Sequence, residues 1–287
     1  MQIYLPIADM PVNVFVILAM GLAVGFLSGM FGIGGGFLLP PLLIFVGIAP
    51  VVAVATVSSH IAAASLSGVF AYWRRRALDP ALAAVLLVGA ILGTTAGVWL
   101  IAWLRTAGQL DLAISLSYVT LLGIVGALMS IESARAIFRA RAGGRADARR
   151  PGSHAWFHGL PFKMRFKQSR IYVSVIPVLT IGFFIGFLGA VMGIGGGFLL
   201  VPALIYLLRV PTAVVIGTSM VVTLVTMVSA TILHAATNYS VDAVLALILM
   251  IGGVMGAQFG AQAGQRVRAE QLRLLLGLMI MLVGLRF

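Results

Sequence analysis

Cysteine is absent from this chain of 287 residues, which excludes disulfides, thiolate metal centres and a cysteine nucleophile, and leaves the redox compartment unread. Charge is scarce too. Only 9% of residues are charged, seven of them acidic, where a soluble domain carries about a quarter. No Asp or Glu falls in the middle of a long apolar run, so no carboxylate pair stands ready for a metal or sodium ion. The four histidines are scattered and have no paired acid, which gives a membrane-embedded enzyme neither an activated nucleophile nor a metal cluster. No cofactor is expected.

What is present in excess is apolar sequence. Apolar residues make up 61% of the chain and the mean hydropathy is +1.13, values of an integral membrane protein. Runs of the roughly 20 residues needed to cross the hydrocarbon lie near 12–31, 50–72, 80–103, 112–134, 172–192, 212–236, 242–264 and 271–285. They are continuous rather than alternating, so the spans are helices and not barrel strands. Two shorter apolar runs occupy 36–48 and 197–208. The first run has no basic segment before it and no small-residue cleavage site after it, which argues against a cleaved signal peptide. The net charge of +12 sits in loops beside the spans, the pattern of positive-inside topology in a plasma (inner) membrane. Without a soluble domain to carry a base-reading element, no nucleic acid partner is expected. The expected partners are the lipid bilayer and a small anion.

One phrase occurs twice. Gly32-Ile33-Gly34-Gly35-Gly36-Phe37-Leu38-Leu39 returns as Gly193-Ile194-Gly195-Gly196-Gly197-Phe198-Leu199-Leu200, 161 positions later. At that offset Gly25 meets Gly186, Pro41 meets Pro202 and Pro50 meets Pro211. With one or two residues of insertion Thr56 meets Thr218, Ser67 meets Ser229, Tyr72 meets His234 and Asp79 meets Asp242. Gly89, Gly93 and Gly97 then recur as Gly252, Gly256 and Gly260, ladders of small residues that let helix backbones approach. The chain divides into an N-terminal transmembrane repeat, 1–134, a basic linker, 135–170, and a C-terminal transmembrane repeat, 171–287. Ten Arg or Lys residues in the linker place it in the cytoplasm, and its later part, 156–167, mixes aromatic and basic residues as a segment lying on a membrane surface would.

Charge also orients the repeats. If each repeat crossed four times, Arg105, Arg209, Arg266, Arg268 and Arg273 would all lie outside. If the segments around each glycine cluster form a hairpin that returns to its own side, only Arg105 and Arg286 do, and the repeats are inverted. The 13 residues 36–48 reach roughly 20 Å as a helix, short of a core of about 30 Å. The expected fold is therefore an all-α integral membrane protein of two inverted-topology repeats. Each has four long transmembrane helices plus one short helix after a Gly-rich break, and both termini lie outside.

Inverted repeats around broken helices are a recurring transporter design, with substrate held near the midplane. A helix that begins inside the membrane offers unpaired N–H groups and the positive end of its dipole. The candidate substrate-binding residues are accordingly Gly34, Gly35, Gly36, Gly195, Gly196 and Gly197, with the nearest hydroxyls, Thr56, Ser58, Thr218 and Ser219. Further hydroxyls follow along the same helices, among them Ser65, Thr223 and Thr226. His60, Asp79, His234 and Asp242 are candidates for coupling or gating. For the histidines the competing reading is a neutral side chain bonded between helices; for the aspartates it is a helix cap.

The doubled pattern, from Gly25 to Pro41 and from Gly186 to Pro202, resembles the TauE/SafE family of sulfite and organosulfonate exporters. The likeness extends through Ala55-Thr56 and Gly217-Thr218 to Asn238-Tyr239-Ser240-Val241-Asp242, similar to the family's Asn-Val-Asp turn with an insertion. The first copy departs from the family, with Val57-Ser58 after Thr56 and Arg74-Arg75-Arg76-Ala77-Leu78-Asp79 at the end of its third run. The resemblance implies a membrane permease for sulfur-containing anions. The glycine clusters lack the Lys-Ser/Thr of a phosphate-binding loop, so transport would draw on a proton or the membrane potential. An anion channel, or an uptake permease for another small oxyanion, is the alternative.

Overall fold

A computed structural model of the chain describes residues 2–31, 36–74, 78–110, 112–121, 123–124, 161–166, 168–169, 171–208 and 210–264. Most of the basic linker, the last apolar run (271–285) and two candidate residues, Gly34 and Gly35, lie outside the described residues. Element order runs twice through a similar series. First come strands β1 (Gln2–Leu5) and β2 (Met10–Asn13), helix α1 (Val14–Phe31), a 3₁₀ turn (Gly36–Leu38), and helices α2 (Leu39–Phe45), α3 (Pro50–Arg74) and α4 (Pro80–Thr106). A shorter apolar helix, α5 (Leu112–Leu121), follows. Then come β3 (Lys163–Phe166), β4 (Ile171–Ser174), α6 (Val175–Met192), α7 (Gly197–Tyr206), α8 (Thr212–Leu233) with a π-helical end (His234–Asn238), and α9 (Ala243–Gly264).

Among the described residues, five helices are long and apolar enough to span a bilayer: α3, α4, α6, α8 with its π turn, and α9. The polarity of the molecule is that of a membrane protein. Phe15, Phe70, Trp99, Trp103, Phe184 and Phe259 are exposed, while Thr56, Ser58, His60, Asp79, Thr218, His234 and Asp242 are buried. Water would penalise such an apolar exterior, and lipid does not.

The two β-hairpins depart from the all-helical expectation. β1 pairs with β2 and β3 with β4, both antiparallel. Residues 163–166, part of the basic-aromatic segment, form a strand with three of its four residues exposed, and the helix expected from 172 begins at Val175. The strands are held because Leu5 and Val12, and likewise Phe166, Ile171 and Val173, bury their apolar faces in the helix bundle. An isolated two-stranded hairpin would be marginal.

Contacts of the hairpins and helix starts define two ends. At one end the start of α3 (Thr56), the start of α9 (Asp242) and the β1–β2 turn (Ile7) are hydrogen-bonded together. At the other, the start of α8 (Thr218) meets the start of α4 (Asp79) and the β3–β4 turn (Ser169). Residues 56 to 74 of α3 span about 27 Å between these ends. α1, α3 and α9 thus start from one end, and α4, α6 and α8 from the other.

The most extensive helix packing pairs α1 with α9, α4 with α6, and α3 with α8. In the first two pairs the helices run parallel with their backbones in contact: Gly21 faces Leu249 and Gly25 faces Gly253, while Gly89 faces Leu179 and Gly93 faces Phe183. A β-carbon on Gly93 would overlap the Phe183 carbonyl oxygen. Gly93→Leu is expected to lower unfolding stability by about 3 kcal/mol, read by thermal unfolding of the purified protein in detergent. Leu92→Val, on the exposed face one residue away, should change it little.

Candidate functional site

The second glycine break meets Gly36, the last glycine of the first, at the middle of the bundle. α6 ends at Gly193, which takes a left-handed φ of 61° and donates its N–H to the Gly189 carbonyl at 2.9 Å. Any β-carbon there would also press on the Val54 backbone of α3, its oxygen only 2.7 Å away. Gly195 repeats the left-handed turn at φ 72° and lies against Ile61, midway along α3. In the first series Gly36 opens the 3₁₀ turn and is buried under the same Ile61 side chain. Phe37 and Phe198 stack between the two breaks, with centroids 4.4 Å apart and planes 19° apart. The second break and the residues that follow the first are therefore packed against each other and clasped by one aromatic pair.

The helix ends at the second break are treated unequally. On the carbonyl side, the last turn of α6 is engaged by donors from elsewhere: the Tyr118 hydroxyl donates to Met192 O and His234 Nε2 donates to Ala190 O at 3.1 Å. On the amide side, α7 starts from Gly196, which has no side chain to cap it. The first bond of that helix runs from Leu200 N–H to Gly196 O at 2.8 Å. The N–H groups of Gly197, Phe198 and Leu199 precede it and have no intrahelical acceptor. Residues 193–198 are all buried. A buried helix start without a cap retains both its donors and the positive end of its dipole.

The candidate hydroxyls are all bonded within the protein. Thr56 Oγ1 accepts the Asp242 N–H at 3.0 Å, and Thr218 Oγ1 accepts the Asp79 N–H at 3.1 Å. Each threonine thus holds the helix start of the other series. Met220 touches Gly68, and from residue 56 to residue 68 of α3 is about 18 Å, so Thr56 and Thr218 stand at separate levels of the bundle. Ser58 Oγ donates to Val54 O at 3.0 Å and Ser219 Oγ to Ile216 O at 2.9 Å, both within their own helices.

Both aspartates cap helices. Asp79 Oδ1 accepts from Ala81 and Leu82 N–H, each at 3.2 Å, and Oδ2 from the N–H and hydroxyl of Ser169 at 2.9 and 2.8 Å. Asp242 Oδ1 accepts from Val244 and Leu245 N–H, and Oδ2 from Ile7 N–H, all at 3.0 Å. The first-turn amides and the neighbouring hairpin together engage the oxygens of each carboxylate. His234 is held at both nitrogens, Nδ1 accepting from the Asn238 amide at 3.0 Å. His60 differs: it is buried against Gly253, bonded to the Leu249 backbone, and its Nδ1 has no partner.

Sequence reasoning missed Tyr118, Ser169 and Ile7. Ser169 and Ile7 lie in hairpin turns whose place beside a helix start depends on chain reversal, and Tyr118 is one aromatic in an apolar run. None carries a local signal.

A buried, broken helix inside an apolar bundle defines the class as a helical multi-pass membrane protein of the transporter type. The chain belongs to the TauE/SafE family, whose model, described as "Sulfite exporter TauE/SafE", matches residues 17–287. It is 27% identical over 273 residues, 94% of this chain and 98% of the relative, to "Probable membrane transporter protein YjnA" of Bacillus subtilis (strain 168). It is 31% identical over 283 residues, 95% and 94% of the two chains, to a "Probable membrane transporter protein" of Xylella fastidiosa (strain 9a5c). No solved structure matches it significantly. The family and these relatives are described as transporters, not enzymes.

Replacing Thr56 or Thr218 by Val leaves a buried backbone N–H unpaired. Each change should cost about 1–3 kcal/mol of unfolding free energy, and Thr→Ser should recover most of it; denaturant titration in detergent decides. Equal stability of the Val variants would show that the two bonds do not hold the helix starts.

Proposed function

We propose that the protein is a secondary transporter that exports small sulfur-containing anions, such as sulfite or an organosulfonate, by alternating access between two inverted-topology repeats. One observation carries this reading: at the central break the carbonyl end of α6 is engaged by Tyr118 and His234, whereas the amide end of α7 is buried and uncapped. An anion is the partner that such an end attracts. Gly195, Gly196 and Gly197 bring no side chain of their own between ligand and backbone, and Gly36 of the first series packs near Ile194 O of the second break.

The inverted relation is supported by the helix starts, since α1 and α3 leave one end and their counterparts α6 and α8 leave the other. The basic linker, 135–170, lies on the cytoplasmic side of the plasma (inner) membrane by the positive-inside rule. The sulfur chemistry comes from the family's description. The energy source is a proton or the membrane potential. Of the coupling candidates, Asp79, Asp242 and His234 are engaged in fixed bonds, and His60 keeps a ring nitrogen open to a proton.

Reconstitution in proteoliposomes tests this. Sulfite, sulfoacetate, thiosulfate and sulfate are offered in turn under a pH gradient or a voltage, and saturable flux of at least one is expected. Gly196→Val places a β-carbon 2.9 Å from Ile185 Cγ2 and crowds the start of α7, so it should reduce that flux about tenfold, the equivalent of about 1.4 kcal/mol. No flux of any of the four in the unaltered protein would sink the reading.

A further inference from the structure

Among the described residues only three buried side-chain atoms lack a hydrogen-bond partner: His60 Nδ1, Thr223 Oγ1 and Ser240 Oγ. Thr223 stands out by position. It lies midway along α8 and is 2% exposed, and its Oγ1 is 3.6 Å from where a β-carbon of Gly196 would sit. That places an unengaged hydroxyl beside the uncapped start of α7. Its neighbours on α8 are engaged: Ser219 on Ile216 O, Thr226 on Val222 O and Thr223 O, and Thr218 on the start of α4. Hydroxyls on helices in membranes ordinarily bond back to their own helix, and Thr226 does so one turn away. A buried hydroxyl without a partner is costly, and its cost is relieved by a ligand that accepts its proton.

Among the described residues the first series offers no equivalent. At the offset that matches Thr56 with Thr218, the counterpart of Thr223 is Ile61, whose methyl groups fill the space over Gly36 and Gly195. The first short helix also starts through a 3₁₀ turn and has only seven residues, Leu39–Phe45.

We propose that Thr223 is the side chain that hydrogen-bonds the transported anion, forming with the amides of Gly197, Phe198 and Leu199 a one-sided oxyanion site, with Ile185, which packs at the same Gly196, as its apolar wall. This rests on the anion-transport reading above and assigns its specificity to one residue. One hydroxyl and a fan of amides, with no fixed cation, suit a small oxyanion whose oxygens accept several hydrogen bonds. A tetrahedral or pyramidal sulfur oxyanion has that shape, and a halide, with one centre and no oxygen, gains less from the arrangement.

Sulfite binding to the purified full chain is measured by calorimetry, and its flux in proteoliposomes, for the unaltered protein and for Thr223→Val and Thr223→Ser. Loss of a hydrogen bond to a charged group should weaken sulfite binding about tenfold in the Val variant. The half-saturation concentration should rise in step, while the unfolding midpoint of the ligand-free protein stays level or rises, since the unpaired hydroxyl is gone. The Ser variant should stay within about threefold of the unaltered protein. If Thr223→Val does not fold, Thr223→Ala takes its place with the same expectation. Unaltered affinity in the hydroxyl-free variant, while the parent protein binds sulfite, overturns the assignment of Thr223 and leaves the transport reading standing. Absence of binding by the parent protein to sulfite, sulfoacetate, thiosulfate and sulfate alike overturns both.

Discussion

A helix end inside a bilayer cannot be solvated, so each of its unpaired backbone groups has to find a partner within the protein. Much of this structure follows from that constraint. α4 and α9 start within the bundle, and each start is closed by its own aspartate, by a threonine from the other series and by the turn of a β-hairpin. The bonds cross between the two series: Thr56 serves Asp242 and Thr218 serves Asp79. Neither series completes its own helix starts, so the two are joined at both ends of the bundle by polar bonds in an apolar setting. α7 starts at a buried glycine without such a closure, and its unfilled start is the place where function is read.

Packing brings that exception to the centre. The parallel contacts of α1 with α9 and of α4 with α6 depend on glycines that let one backbone touch another, and they draw the two breaks together. Ile61 then sits over Gly36 and Gly195, and Phe37 stacks on Phe198. The breaks are similar in sequence and unequal in surroundings, because α3 presents an isoleucine where α8 presents a threonine. One face of the centre is apolar and the other carries a free hydroxyl.

Much of the architecture is legible from sequence. Continuous apolar runs locate most of the helices, since each must be long enough to cross the hydrocarbon, and the Asp-Pro pair at 79–80 marks a helix start by its capping chemistry. The hairpins were not legible. Residues 171–174 are a short apolar stretch continuous in composition with the helix that follows, residues 2–5 are a short apolar stretch before a turn, and only burial against the bundle holds both as strands. Among the candidate site residues, Thr56 and Thr218 carry polar atoms that do bond across the bundle, but to helix starts, and proximity to a glycine cluster along the chain does not reveal that. His234 and His60 look alike in sequence; one is tied at both nitrogens and the other at one.

The sequence by itself determined a duplicated, cysteine-free membrane protein with a glycine break in each copy, because apolar length, composition and repetition are local properties that need no partner to be read. The tertiary structure decided which polar groups are engaged and which are free. A hydroxyl or amide is satisfied only by an atom within hydrogen-bonding distance, and in a bundle of crossing helices that atom lies tens or hundreds of residues away, as Thr56 does from Asp242.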